Sequence, residues 1–139
     1  VLPDNLEELF GQIGPVDYIL DAIDTVTAKL ALIVYAQSHD IPIVASMGTG
    51  NKLHPELFQI SDIYKTSVCP LCKVMRRELK ARQVKKLTVC WSPELPLTPG
   101  PTEEDTGARR ATPGSIAFVP PVAGLLTAGK IVRDLCGLE

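Results

Sequence analysis

An α/β fold of Rossmann-like type is predicted by three features of the sequence. A short apolar run, Val16 to Leu20, ends in Asp21; a helical pattern follows from Val26; a second short run spans Ile41 to Ser46. Strand, helix and strand over about 30 residues make the βαβ unit, whose crossover is right-handed almost without exception. Both runs are nearly continuous in apolar residues, as strands covered on both faces are, which argues for a parallel sheet.

The elements follow in order. Val16–Leu20 reads as the first strand, rich in β-branched and aromatic residues. Asp24 or Thr25 can cap the helix after it. In that helix Val26, Leu30, Ile33 and Val34 fall at the spacing of one buried face, and the pattern stops near Ser38-His39-Asp40. Ile41–Ser46 is the next strand, with Pro42 tolerated at its start. Gly48-Thr49-Gly50-Asn51 is a turn, and Phe58–Tyr64 alternates as a strand does. Ser67 to Pro70 reads as a helix start, a hydroxyl cap and then a proline in the first turn. Leu71, Val74, Met75 and Leu79 are its expected apolar face, and Leu87–Trp91 is a further strand.

Ser92 to Pro113 breaks the pattern with five prolines, two glycines and no apolar periodicity. It is expected to be a long mobile loop, partly disordered. From about Val122 to Leu135 a last helix is apolar on most of its circumference, which predicts burial in the core or against a second subunit.

Composition narrows the function classes. The 139 residues suit one domain, and an apolar share of 45% with 22% charged is that of a globular protein, not a disordered one. No stretch approaches the roughly 20 apolar residues of a membrane span, so no membrane partner is expected. Val1-Leu2-Pro3-Asp4-Asn5 lacks the basic start and apolar core of a signal peptide, and a cytoplasmic protein is expected. It also lacks an initiating methionine, as a processed or trimmed chain does. Four cysteines in such a protein are expected as thiols rather than a disulfide framework.

Net charge is −2, yet Lys73, Arg76, Arg77, Lys80, Arg82, Lys85 and Lys86 stand within 14 positions against the single acid Glu78. The rest of the chain is therefore acidic, at −8. One reading of the basic helix is a solvated face; the other is contact with phosphates, for which Arg76, Arg77 and Lys80 are the candidates. No aromatic residue interleaves with them, so base stacking is not indicated there.

Two further constellations could carry chemistry. Asp21-Ala22-Ile23-Asp24-Thr25 stands at the carboxyl end of a parallel strand, where ligands of open α/β sheets bind. A carboxylate there can hold Mg²⁺ together with phosphate oxygens. Equally, Asp24 can cap the helix while Asp21 accepts from nearby backbone amides. Cys69-Pro70-Leu71-Cys72 puts a CxxC pair at a helix start, a setting for redox or metal chemistry or for plain packing. A structural zinc takes four ligands, and the remaining cysteines and the two histidines stand singly, so no zinc is expected. Neither GxGxxG nor GxxxxGK[ST] occurs, so the sequence holds no glycine-rich phosphate cradle of these kinds.

Asp17-Tyr18-Ile19-Leu20-Asp21-Ala22-Ile23-Asp24-Thr25-Val26-Thr27-Ala28-Lys29 resembles a conserved block of the ThiF/MoeB/HesA family, the bacterial relatives of ubiquitin-activating enzymes. Ile41 to Asn51, Asp62 to Leu71 and Pro113 to Gly124 are most similar to the branch of that family that dehydrates threonylcarbamoyladenosine in tRNA. The likeness runs through nearly the whole chain and is weakest over Pro93 to Arg109. It implies a ThiF-type adenylating fold of which this chain is the C-terminal portion. Within it 1–91 would be the αβ part, 92–113 the mobile loop and 114–139 the C-terminal helix.

The resemblance also implies ATP and Mg²⁺ as cofactors of the parent protein, tRNA as substrate and a homodimer, with sulfur-transfer proteins among the expected partners. In that chemistry a carboxylate on the modified adenosine is adenylated, and loss of AMP closes the modification into a ring. By motif position Asp24 would face Mg²⁺ and the phosphates, Asp21 and Ala22 would line the nucleotide pocket, and Arg109 and Arg110 would cross the active site. The family's glycine-rich loop and phosphate-binding basic residues belong to its first half, so the isolated chain is expected to be inactive. Three other readings stand beside this one. They are an activator of a ubiquitin-like sulfur carrier, a non-catalytic dimerisation module and a CxxC oxidoreductase.

Overall fold

A computed structural model describes residues 3–98, 100 and 113–138. Four α-helices and four strands occur among them. They are α1 (Leu6–Ile13), β1 (Ile19–Asp21), α2 (Val26–Ser38), β2 (Ile43–Ser46), β3 (Gln59–Asp62), α3 (Pro70–Ala81), β4 (Thr88–Trp91) and α4 (Val119–Leu135). The strands form one sheet in the order β1-β2-β4-β3. β1, β2 and β4 are mutually parallel, with Asp21 opposite Ala45 and Ser46 opposite Cys90. β3 is antiparallel to β4, with Asp62 opposite Thr88. The expected parallel βαβ unit is present as β1-α2-β2, and the sheet as a whole is mixed.

Side-chain alternation assigns the layers. Val89 and Trp91 join Ala45, Met47, Met75, Leu79 and Ile33 in the largest cluster, which fills the space between the sheet and α2 and α3. Cys90, between them in sequence, points the other way and packs with Phe58, Val119 and Ala123 of α4. A third cluster, Leu6, Ile19, Leu32 and Ala36, seats α1 against α2. α2 is thus apolar on two sides because it is sandwiched. Leu30 and Ile33 face the sheet and α3, Leu32 and Ala36 face α1, and Val34, expected inside, is 38% exposed.

Three expectations are corrected. The cap of α3 is Cys69 and not the hydroxyl of Ser67, whose carbonyl instead accepts the Cys69 N–H at 2.6 Å. The buried face of α3 is Cys72, Met75 and Leu79, with Leu71 and Val74 at its margin. α4 begins earlier than expected, with Pro120 and Pro121 in its first turn, where their missing N–H groups cost nothing. Within this chain it buries a narrow stripe, Val119, Ala123 and Thr127, while Leu125, Val132 and Leu135 face outward. The prediction of a helix buried all round therefore fails for the chain alone. The mobility expected of 92–113 concerns mainly residues outside those described; 92–98 and 100 have no regular secondary structure.

Candidate functional site

The carboxyl ends of β1, β2 and β4 lie along one edge of the sheet, and the segments leaving them gather the sequence-predicted residues. At the end of β1, Asp21 is completely buried. Its Oδ2 accepts from Lys29 Nζ at 2.5 Å, and Lys29 is also wholly buried. Its Oδ1 accepts the Ile23 N–H at 2.9 Å. Both carboxylate oxygens are thereby used inside the protein. A buried ion pair of this kind costs several kcal/mol per ion in desolvation and holds only when its remaining hydrogen-bonding capacity is met. It fixes the β1–α2 turn.

That turn carries Ala22 and Asp24, both exposed. Thr25 occupies the cap position of α2 but makes no side-chain cap, and neither does Asp24. The Asp24 carboxylate has no hydrogen-bond or ion-pair partner among the described residues. Asp21 is thus a positioning group, and Asp24 is the carboxylate that the turn presents to solvent.

The segment after β2 is organised by Asn51, whose φ of 59° puts it in the left-handed region that asparagine tolerates better than most residues. Its side-chain Oδ1 accepts the Gly114 N–H at 2.6 Å, and its own N–H donates to the Gly114 carbonyl at 2.8 Å. Its carbonyl accepts the Leu97 N–H at 2.7 Å. Glu94 adds two bonds, accepting from the N–H groups of Leu53 and His54 at 2.8 and 3.1 Å. The two ends of the proline-rich crossover are thereby tied to one turn. A Cβ at Gly50 would come within 3.2 Å of the Pro113 Cβ, a tight contact that a side chain there would have to relieve by a shift of a few tenths of an ångström. Arg109 and Arg110, expected to cross the site, lie outside the described residues.

Beside this turn sits the CxxC pair. Cys69 and Cys72 are buried free thiols at the start of α3, in the same cluster as Met47 and Trp91. The hydrogen bond from the Cys72 thiol, then the N–H of Cys72, the Lys52 ammonium and the Leu71 N–H pull Cys69 below the ordinary thiol value, against desolvation. Cys72 is pushed up by that same hydrogen bond and by burial. No group of three or more His, Cys, Asp or Glu side chains suited to a metal occurs among the described residues.

The basic face of α3 divides. Arg76 turns inward and donates to the Thr66 carbonyl and hydroxyl at 2.9 and 2.5 Å. Arg77 is exposed beside Glu78, and Lys80 is exposed without a described partner. Two buried lysines, Lys29 and Lys52, are the features that sequence reasoning missed. Lys29 stood in a helical pattern where lysine ordinarily faces water. The one available signal was its place between Val26 and Leu30 of the apolar face.

The chain is similar to known proteins over most of its length. A tRNA threonylcarbamoyladenosine dehydratase of Bacillus subtilis is 40% identical over 128 residues, which cover 86% of this chain and 50% of that protein. The chain is a relative of the tRNA threonylcarbamoyladenosine dehydratases. The Escherichia coli dehydratase is 38% identical over 81 residues, 58% of this chain and 30% of that one. A solved structure of an E. coli dehydratase in complex with ATP superposes with a TM-score of 0.81 at 27% identity, over 99% of this chain and 54% of that chain. Another, in complex with AMP, superposes at 0.80 with 26% identity, over 99% and 55%.

The fold is thus the Rossmann-like fold of these dehydratases, and the chain spans about half the length of the Bacillus relative and of the solved structures, as a C-terminal portion would. No family model matches the chain. No helix among the described residues is long and apolar enough to cross a membrane.

Proposed function

We propose that the chain supplies the carboxyl-terminal part of an ATP-dependent tRNA threonylcarbamoyladenosine dehydratase. The observation that carries this reading is Asp24. In a chain 40% identical to half of a dehydratase, it is the exposed carboxylate at the carboxyl end of a parallel strand, held there by the buried Asp21–Lys29 pair. The chemistry has two steps. An oxygen of the threonyl carboxylate attacks the α-phosphorus of ATP and expels pyrophosphate, forming an acyl-adenylate. A nucleophile of the same modification then attacks the activated carbonyl and expels AMP, so the net loss from the nucleoside is one water.

Asp24 fits the protein's share of a Mg²⁺ site, because that ion takes one or two carboxylates and fills its other positions with water and phosphate oxygens. When bound, it would neutralise phosphate charge. The chain's own contribution is positional. Asp21 and Lys29 hold the turn that carries Ala22 and Asp24, and Asn51 with Glu94 ties down the crossover around it. Arg77, exposed though paired with Glu78, and Lys80 are the candidates on α3 to meet tRNA phosphates, whereas Arg76 braces the loop at Thr66. Arg109 and Arg110 remain candidates for substrate contact. The outward Leu125, Val132 and Leu135 of α4 favour a homodimer or contact with the rest of the parent protein. Cytoplasmic placement and sulfur-transfer partners belong to the same reading.

A direct test is ATP–pyrophosphate exchange by the full-length parent protein in the presence of substrate tRNA. Exchange that depends on that tRNA and falls on the order of 100-fold in Asp24→Asn supports the assignment. Exchange unaffected by the substitution removes Asp24 from the site.

A further inference from the structure

The CxxC pair is unused by the adenylation chemistry, yet its surroundings are built. Cys69 and Cys72 are 2% and 0% exposed and stand in one buried cluster, at the cap and in the first turn of α3. Cys69 caps α3, a helix of 12 residues whose open N–H groups favour an anion. Lys52, only 5% exposed, brings its charge to Cys69 and has no hydrogen-bond or ion-pair partner among the described residues. The Lys52 ammonium favours the thiolate form of Cys69. The Thr66 hydroxyl and the Arg76 guanidinium favour the thiolate of Cys72, against the larger effects of Cys69 and burial. Val68, next in sequence, is a β-branched residue at φ 64°, a strained conformation in the segment covering the thiols, and it is itself 48% exposed.

We propose that Cys69 and Cys72 form a reversible thiol–disulfide switch, with Lys52 coupling it to the turn that holds the crossover. The oxidant is a low-molecular-weight disulfide. The Cys69 thiolate attacks one of its sulfurs and expels a thiolate, leaving a mixed disulfide. Cys72 then gives up its proton and attacks the Cys69 sulfur, expelling a second thiolate. Two protein thiols are oxidised to one disulfide, and one external disulfide is reduced to two thiols. Oxidation removes the anion facing Lys52. Lys52 lies between Asn51 and Leu53, whose backbone groups bond Leu97, Gly114 and Glu94, so the loss of charge at Cys69 is passed to the turn through its lysine.

The test equilibrates the full-length parent protein in glutathione buffers of graded ratio, blocks remaining thiols by alkylation and maps the peptides by mass. Joint loss of Cys69 and Cys72 to one disulfide is expected, about 2 Da lighter and restored by a dithiol reductant. Both cysteines fully alkylated across the whole series would overturn the proposal. In Cys72→Ser the glutathione adduct on Cys69 should persist; its absence would likewise count against attack by Cys69. In Lys52→Met the pH at which Cys69 begins to alkylate should rise, and an unchanged onset would remove Lys52 from the site. Hydrogen exchange at Asn51, Leu53 and His54 should quicken in the oxidised chain. Exchange identical in the two states would overturn the coupling to the turn.

Discussion

Lys29 Nζ lies 2.5 Å from Asp21 Oδ2 with both side chains fully buried, eight residues apart across the turn from strand to helix. This pair decides which of two neighbouring carboxylates is available for chemistry. Asp21 is neutralised within the protein, and Asp24, three residues on, is left to solvent.

Breaking the pair from either side should therefore unfold the turn rather than tune a ligand. Lys29→Met is expected to cost about 3–5 kcal/mol, since it leaves a buried carboxylate uncompensated. Urea denaturation checks this, and a loss under about 1 kcal/mol would mean that the carboxylate finds water.

Asp24→Asn should behave oppositely. With an exposed side chain and no described partner, it is expected to leave stability within about 0.5 kcal/mol. Its effect should be confined to nucleotide chemistry in the parent protein, where ATP titration and exchange assays read it.

Asn51→Ala removes the side-chain bond to Gly114 and places a residue with a Cβ but no polar group at φ 59°. A loss of about 1–3 kcal/mol is expected. Faster amide exchange at Gly114 should accompany it, and Asn51→Gly should recover the backbone part alone.

Tyr18 donates to Asp134 at 2.8 Å, linking the segment before β1 to α4, and its phenol is pushed up to about 12 by burial first and by Asp134 next. A folded value raised above the unfolded one adds stability that is complete below the unfolded value, near 10, and fades as pH rises through 12. Asp134 is held below the usual carboxylate range by Lys130 first and then Tyr18, so its share is present above the unfolded value and lost as pH falls through the folded one. Alkaline absorbance titration should find the last phenol to ionise missing in Tyr18→Phe.

Much of this was legible in the sequence. Continuous apolar runs ending in Asp21 and Ser46 marked the parallel strands because burial on both faces leaves no polar alternation. The absence of regular structure over 92–98 was legible in Pro93 and Pro96. What escaped depended on contacts distant in sequence. Cys72, not Leu71 or Val74, lies with Met75 and Leu79 on the buried face of α3, a choice made by the sheet it packs on. Lys29 and Lys52 were buried against periodicity that places lysine in water, and only the fold brings them to Asp21 and Cys69. Periodicity also marked α4 as apolar all round, but it carries no information on what covers its outer face.

Charge reversal at Arg77 and Lys80 should weaken tRNA binding by the parent protein and lower its salt dependence by about one phosphate contact per residue. Filter binding across a salt series measures both. Unchanged slopes would make the basic face of α3 a solvated surface.

The most direct measurement is the mass of the threonylcarbamoyladenosine nucleoside recovered from tRNA after incubation with the full-length parent protein, with and without ATP. A loss of one water, about 18 Da, only with ATP and greatly reduced in Asp24→Asn is the predicted result. No loss with ATP and a folded protein, or the same loss without ATP, would contradict the account.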